Sequence, residues 1–266
     1  MDDAPSDIHH TSTLTTCSSR LLFPEDVLDP IDTVTRLLVY ALATQWMGID
    51  IVPQHLKDSW AIFGMAYFMT DSFMRRLCGK NDYRFRQKLA ADRVVDIDVG
   101  RPSLIDLGPL LSLDPLQSEL MELKAPLVLF ILDQRILKGG SSLGVTRIIQ
   151  RILLNAKTGD IQNGALDTGY FIKLCEKLSH AKLETFFSQW VYGAGCPKFR
   201  VTQRFNKKKL VVEMTITQVQ SETVKERALE SQTFLRDVKE EVQEVYAGEI
   251  PSVFTVRYDN GITFPH

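Results

Sequence analysis

Histidine and cysteine are the residue types that most often bind transition metals, and their spacing in this chain does not suit a metal site. The five histidines are His9, His10, His55, His180 and His266. No two of them form an H-x-x-x-H pair, in which three intervening residues put both imidazoles on one helix face. The four cysteines are Cys17, Cys78, Cys175 and Cys196, and no two form a C-x-x-C pair. We therefore expect free thiols in a reducing compartment, and no metal or other cofactor.

Nucleophilic catalysis has no clear sequence motif either. The chain contains no G-x-S-x-G and no cysteine and histidine at a recognisable catalytic spacing. An active hydrolase that uses some other residue set stays open as a hypothesis, and turnover of a chromogenic aminoacyl substrate would revive it.

The composition describes an ordinary globular chain. It has 266 residues, 31 Lys and Arg against 33 Asp and Glu, a formal net charge of −2 and 44% hydrophobic residues. These values exclude a polycation of the histone type and a disulfide scaffold, and the length suits one large domain or two modest ones. The N-terminus is not a secretory signal, and the longest apolar run, residues 61–69, is too short to span a membrane. We expect no membrane partner.

Helical spacing of apolar residues predicts the elements of the first part of the chain. A helix runs from Asp32 to Trp46, and a second begins after Asp58 and ends before Gly79. The second is apolar on nearly every side, which predicts a buried central helix. Further helices are predicted at about 82–99, 118–138, 142–155, 168–179 and 181–192, with a loop at 101–115.

The period changes to that of strands after Pro197. Strands are predicted around 199–201 and 210–216 with a turn at 206–209, and 253–258 and 262–264 have the pattern of a hairpin with an Asn-Gly turn. The predicted layout is a disordered tail at 1–13, a helical domain at 14–196, and an incomplete β domain at 197–266 with an acidic linker at about 221–249. We interpret the chain as a fragment of a longer protein.

The two best helices resemble the central helices of the zinc aminopeptidases of the aminopeptidase N type. Residues 40–48 read Y-A-L-A-T-Q-W-M-G, where that family has H-E-L-A-H-Q-W-F-G, and residues 60–66 read W-A-I-F-G-M-A, where it has W-L-N-E-G-F-A. Eighteen residues lie between Thr44 and Phe63, as between the family's second histidine and its glutamate. The resemblance implies a mainly α fold with a β portion: an aminopeptidase N (gluzincin)-like helical domain followed by the start of an immunoglobulin-like β-sandwich.

The chemistry of those peptidases is not preserved at the matching positions. The three zinc-ligand positions hold Tyr40, Thr44 and Phe63, and the general-base position holds Ala41. None of these side chains can do the work of the histidine, carboxylate or base it replaces. In that family a tyrosine stabilises the oxyanion of the reaction. The nearest matching position in this chain holds Glu122, whose charge would repel an oxyanion. We expect a vestigial site with no catalytic residue and no metal.

Three further stretches resemble an inactive family within this fold, the aminopeptidase-like TBP-associated factors of the general transcription factor TFIID. They are T-Q-W-M-G-I-D-I-V-P-Q at 44–54, G-K-N-D-Y-R at 79–84, and V-F-T at 253–255 followed by N-G at 260–261 and P-H at 265–266. This resemblance implies a non-catalytic nuclear scaffold in RNA polymerase II pre-initiation complexes. It also implies TBP and other TFIID subunits as partners, and contact with initiator DNA of the core promoter. The alternative is an inactive relative that uses its cleft as a peptide- or protein-binding module.

Two basic clusters could contact DNA phosphates. The stronger candidate is the strand-turn-strand segment with six bases and no acid: Lys198, Arg200, Arg204, Lys207, Lys208 and Lys209. The other consists of Arg75, Arg76, Lys80, Arg84, Arg86 and Lys88. For both, the alternative is a charged surface that only keeps the protein soluble.

Overall fold

A computed structural model of the chain describes residues 8–24, 26–111, 115–140, 143–196, 198–208, 211–219 and 253–259. Two compact units divide the chain. One comprises Met1–Ile97 and Pro102–Ala194, and the other comprises Asp98–Arg101 and Gly195–His266. The first unit is mostly helical with small strand pieces, and the second contains a three-stranded sheet. No described helix combines the length and apolar character that a membrane crossing requires.

The helices and strands follow the predicted order with shifted ends. The helices are α1 Ile31–Trp46, α2 Ser59–Leu77, α3 Lys80–Ile97, α4 Leu104–Leu107, α5 Pro115–Lys138, α6 Gly144–Thr158, α7 Thr168–Ser179 and α8 Glu184–Trp190. The strands are β1 Ile8–Thr11, β2 Leu14–Cys17, β3 Val52–Pro53, β4 Ala165–Leu166, β5 Lys198–Asn206, β6 Val211–Val219 and β7 Val253–Asp259.

Helix α2 lies at the centre of the helical unit, as its apolar sequence predicted. Its fully buried Trp60 meets Phe171 of α7 and Phe187 of α8 at ring-centroid distances of 5.6 Å and 6.4 Å. Gly64 lets α2 approach α5 closely, since an added Cβ would lie 3.0 Å from Leu129 Cδ1. The central helix therefore contacts α5, α7 and α8 through a packed core.

The N-terminal segment differs from its prediction. Residues 8–13 were expected to belong to a disordered tail, but Ile8–Thr11 pairs with Leu14–Cys17 as an antiparallel hairpin. The polar threonines and histidines there gain hydrogen-bond partners that no local pattern reveals. Residues 1–7 lie outside the described part of the chain. The loop expected at 101–115 is also wrong in part, because it contains the short helix α4, which Ser103 caps by accepting from Asp106 N.

The second unit orders its strands β5-β6-β7, all antiparallel. The register pairs Val201 with Ile216 and Phe205 with Val212, so apolar positions share one face of the sheet. The predicted turn lies at Lys207 and Lys208. The predicted partner strand at 262–264 and the acidic segment at 221–249 lie outside the described residues.

One buried carboxylate joins parts of the helical unit that are far apart in sequence. Asp58, only 1% exposed, accepts hydrogen bonds from Thr168 N at 3.0 Å and from Thr168 Oγ1 at 2.6 Å. Its second oxygen accepts from His55 N at 3.0 Å. Thr168 Oγ1 in turn accepts from Trp60 Nε1 at 3.1 Å. The Asp58–Thr168 network therefore ties the start of α2 to the start of α7.

Replacing Asp58 with alanine should destabilise the protein by about 3 kcal/mol, because it leaves buried N–H donors without an acceptor. The measurement is the free energy of unfolding from urea denaturation. Asp92→Ala is the matched control, since Asp92 is exposed and its ion pair is with Lys88 on the same helix. We expect that control to change stability by less than about 0.5 kcal/mol. Equal effects of the two substitutions would show that the network is not stabilising.

Candidate functional site

Two tyrosines and a glutamate meet where α1, α2 and α5 approach one another. The rings of Tyr40 and Tyr67 stack with centroids 4.2 Å apart and planes inclined by 23°. The Tyr67 hydroxyl donates to Glu122 Oε2 at 2.9 Å. Sequence reasoning singled out Tyr40 and Glu122 but missed Tyr67, which stands one helical turn beyond Phe63 on α2. We call these three residues the tyrosine–glutamate cluster.

Burial controls the protonation of this cluster. It raises the pKa of Tyr40 to about 12, with the Glu122 charge adding to the effect, and it raises the pKa of Tyr67 further. Burial also raises the pKa of the Glu122 carboxyl above its usual value, although the hydrogen bond from Tyr67 opposes the shift. Both tyrosines therefore hold their protons at neutral pH, and Tyr67 uses its proton to donate to Glu122 rather than acting as a base.

Thr44, at the position that matches a zinc-binding histidine, also has its hydrogen-bond partners within the protein. Thr44 is buried, and its hydroxyl donates to the Ala41 carbonyl at 2.8 Å. The same Oγ1 lies 3.3 Å from Nδ1 of His10, which the hairpin brings to the helix. His10 therefore lies against α1 rather than in a solvated tail.

The contacts between α1 and α2 show which positions face each other. Arg36 pairs with Asp71 at 2.7 Å, and one turn along α1 Tyr40 meets Tyr67. This antiparallel register brings Phe63 level with Thr44 at the next turn. The three positions that match zinc ligands thus lie on the facing sides of α1 and α2. Within the described ranges, no three His, Cys, Asp or Glu side chains come together in a group that could hold a metal ion.

The Gln45 side chain holds the β1–β2 hairpin against α1 through hydrogen bonds. Its Oε1 accepts from Thr13 N at 3.1 Å, and its Nε2 donates to Thr11 O at 3.2 Å and to Thr15 Oγ1 at 2.8 Å. Gln45 is also the glutamine of the Q-W segment that carries the family resemblance. Its role was missed because its partners lie 30 to 34 residues earlier in the chain.

Strand β5 carries the stronger basic cluster. Arg200 and Arg204 alternate with apolar positions, so they share one face of the strand, and both are exposed. The turn beyond β5 presents exposed Lys207 and Lys208, and the Asn206 side chain accepts from Lys208 N at 3.2 Å. The backbone of Lys198 begins the strand, and Lys209 lies outside the described residues. The opposite face of β5 exposes Phe199, Val201 and Phe205 by 59%, 55% and 50%.

Half of the other basic cluster is engaged in contacts within the helical unit. Arg86 pairs with Asp82 at 2.8 Å and also with Asp32. Lys88 pairs with Asp92 at 2.5 Å. Arg75 lies over the ring of Tyr83, which itself packs edge-on against Phe130 at 5.9 Å. These contacts occupy three of the six bases in the described structure and place Tyr83 in a packed aromatic pair.

The second unit matches a known protein family. Residues 194–257 match the family model described as the TAF2 Ig-like domain. The match covers β5, β6 and the first five residues of β7, so the chain combines a mostly helical unit with an Ig-like domain of that type.

The matching full-length proteins are subunits of a transcription initiation factor. The chain is 41% identical over 237 residues to a Schizosaccharomyces pombe protein, covering 89% of the chain and 20% of that protein. It is 37% identical over 223 residues to a Saccharomyces cerevisiae protein, covering 82% of the chain and 16% of that protein. A Drosophila melanogaster protein is 25% identical over 256 residues, covering 82% of the chain and 21% of that protein.

All three proteins are named transcription initiation factor TFIID subunit 2, and the chain is homologous to one segment of that subunit. It spans about one fifth of the length of these relatives.

The raised pKa of the Glu122 carboxyl predicts a pH-dependent effect of Glu122→Gln. Between the usual pKa and the raised one, the folded protein binds more protons than the unfolded chain, so the wild type loses stability as pH rises. Glutamine stays neutral and can still accept from Tyr67. The gain in melting temperature from Glu122→Gln should therefore be larger at pH 7 than at pH 4.

Glu119→Gln is the matched control for this measurement. Glu119 lies one turn earlier on α5, and its hydrogen bond to Arg93 lowers the pKa of its carboxyl. Its removal should give the opposite pH trend through the lost pair with Arg93. The trend should be small, because the pair is exposed and because removing the Glu119 charge also relieves part of the cause that raises the pKa of Glu122. A Glu122→Gln effect that is independent of pH would contradict the assigned protonation behaviour.

Proposed function

We propose that this chain is a segment of a non-catalytic scaffold subunit of TFIID, working in the nucleus in assembly of the RNA polymerase II pre-initiation complex. The homology to TFIID subunit 2 carries the proposal. Its expected partners are TBP and the other TFIID subunits. The helical unit is proposed to have an aminopeptidase N-like fold, which the motifs at 40–48 and 60–66 support.

The geometry around α1 and α2 supports the absence of catalysis. Phe63 supplies no metal ligand, the Thr44 hydroxyl donates to the Ala41 carbonyl, and the Tyr67 hydroxyl donates to Glu122. The alternative function is peptide or protein binding through the aminopeptidase-like cleft. It has less support because Tyr40 and Tyr67 are engaged with each other and with Glu122, and so are less available to a peptide.

Contact with core promoter DNA is proposed for the basic face of β5 and its turn. Arg200, Arg204, Lys207 and Lys208 are exposed and lie along one strand and its tip. Lys198 and Lys209 extend the same run in sequence. Point charges in such a row suit phosphate contacts, which position a protein on a duplex without reading its sequence.

Co-purification tests the proposed assembly role. The tagged 266-residue chain, incubated with nuclear extract of fission yeast, should recover TFIID subunits that mass spectrometry identifies. The tag alone is the control for nonspecific recovery. Recovery of no TFIID subunit above that control would contradict the proposal for this segment.

Charge reversal tests the proposed DNA contact. Arg200→Glu with Arg204→Glu should weaken binding to a promoter duplex and reduce the slope of log K against log salt by about 2. The measurement is fluorescence anisotropy over a salt series. The matched control is Lys157→Glu with Lys182→Glu, two exposed lysines of the helical unit. Equal losses in the two double variants would indicate a general charge effect and contradict a contact at β5.

A further inference from the structure

Helices α6 and α7 enclose a groove of about 510 Å³ that the proposed function does not use. The helices are antiparallel: Asn155 Nδ2 donates to the Tyr170 hydroxyl at 2.6 Å near one end, while Arg147 and Lys177 line the other end. The eight-residue step from Arg147 to Asn155 corresponds to about 12 Å, or about two helical turns. The groove thus matches the length of a short helical segment.

Four exposed cations border the groove. Arg147 and Arg151 stand one turn apart on α6, and Lys173 and Lys177 stand one turn apart on α7. None of the four forms an ion pair with another residue in the described part of the chain. Their mutual repulsion is therefore uncompensated, and an anionic ligand would relieve it.

The neighbouring acids do not neutralise this charge. The sequence of α6 contains no Asp or Glu. The only acid of α7 is Glu176, whose Oε1 accepts from Leu183 N at 2.9 Å. Glu176 does not line the groove. The groove therefore has one sign of charge along both rims.

The floor between the rims is mainly apolar, with Gln150, Asn155 and Tyr170 as its polar residues. Leu154 is 48% exposed and Leu178 is half-buried, whereas Leu174 is only 8% exposed. The Tyr170 hydroxyl accepts from Asn155, so its own O–H can donate to a ligand. An apolar floor between two basic rims is complementary to a helix that has an apolar stripe flanked by acids.

We propose that this groove binds an acidic amphipathic helix of a partner protein. Acidic side chains of that helix would pair with Arg147 and Arg151 on one rim and with Lys173 and Lys177 on the other. Its apolar stripe would cover Leu154 and Leu178. A DNA backbone would use the cations but leave the leucines uncovered, so the apolar floor favours the protein ligand.

The test is direct binding to the folded 266-residue chain. The probe is a fluorescent peptide of about four helical turns with leucines on one face and glutamates on both sides of it. A peptide of the same composition, scrambled so that the leucines share no face, is the ligand control. A duplex DNA of similar charge is the second ligand, and anisotropy is measured at low and high salt.

Separate variants test the cations of the rims and the leucines of the floor. Arg151→Glu with Lys173→Glu should weaken peptide binding about tenfold or more, and Leu154→Ala should weaken it by a smaller factor. Lys157→Glu with Lys182→Glu places the same charges outside the groove and should leave binding unchanged. Thermal melting confirms that each variant is folded.

Selective binding of the amphipathic peptide with this pattern of losses supports the proposal. Three results would overturn it: no saturable peptide binding, equal binding of the scrambled peptide, or DNA binding that the rim substitutions abolish and Leu154→Ala leaves unchanged. The last result would assign the groove to nucleic acid instead.

Discussion

The arrangement of the helical unit depends on the buried carboxylate of Asp58. A charge with 1% exposure is tolerated only where hydrogen bonds replace its water, and here Thr168 and the His55 amide provide them. Because Asp58 immediately precedes α2 and Thr168 begins α7, the network fixes where both helices start. Trp60 donates a hydrogen bond from its indole N–H to the Thr168 hydroxyl, which places the aromatic core next to this network. The network thereby fixes the position of the central helix α2 relative to its neighbours.

That register decides what α2 presents to its neighbours. Asp71 meets Arg36, Tyr67 meets Tyr40, and Gly64 allows close contact with α5. On the facing sides of α1 and α2, several polar side chains have their partners inside the protein. Tyr67 donates to Glu122 and Thr44 donates to a backbone carbonyl of its own helix. This is a stabilised, self-contained packing, and it supports the view that the site serves structure rather than chemistry.

Much of this could be predicted from local pattern, and the failures have a common physical cause. The central helix could be recognised because Trp60 and Phe68 recur within an apolar run, and β5 because Arg200 and Arg204 alternate with apolar residues. The hairpin at 8–17 could not, because its threonines are stabilised by Gln45, a partner that only the fold supplies. Tyr67 and the groove between α6 and α7 were missed for the same reason. Each depends on side chains from separate helices, and charge counted along the sequence does not show which cations end up side by side.

We propose that the α1–α2 pair is related to a metallopeptidase site but lacks its metal chemistry, and zinc analysis is the sharpest check of that proposal. The purified chain is incubated with excess zinc, dialysed, and measured for zinc per chain by mass spectrometry of the element. We expect far less than one zinc per chain, because Tyr40, Thr44 and Phe63 provide no ligand set for the ion. One tightly held zinc per chain, lost on substituting Thr44 or His10, would contradict it.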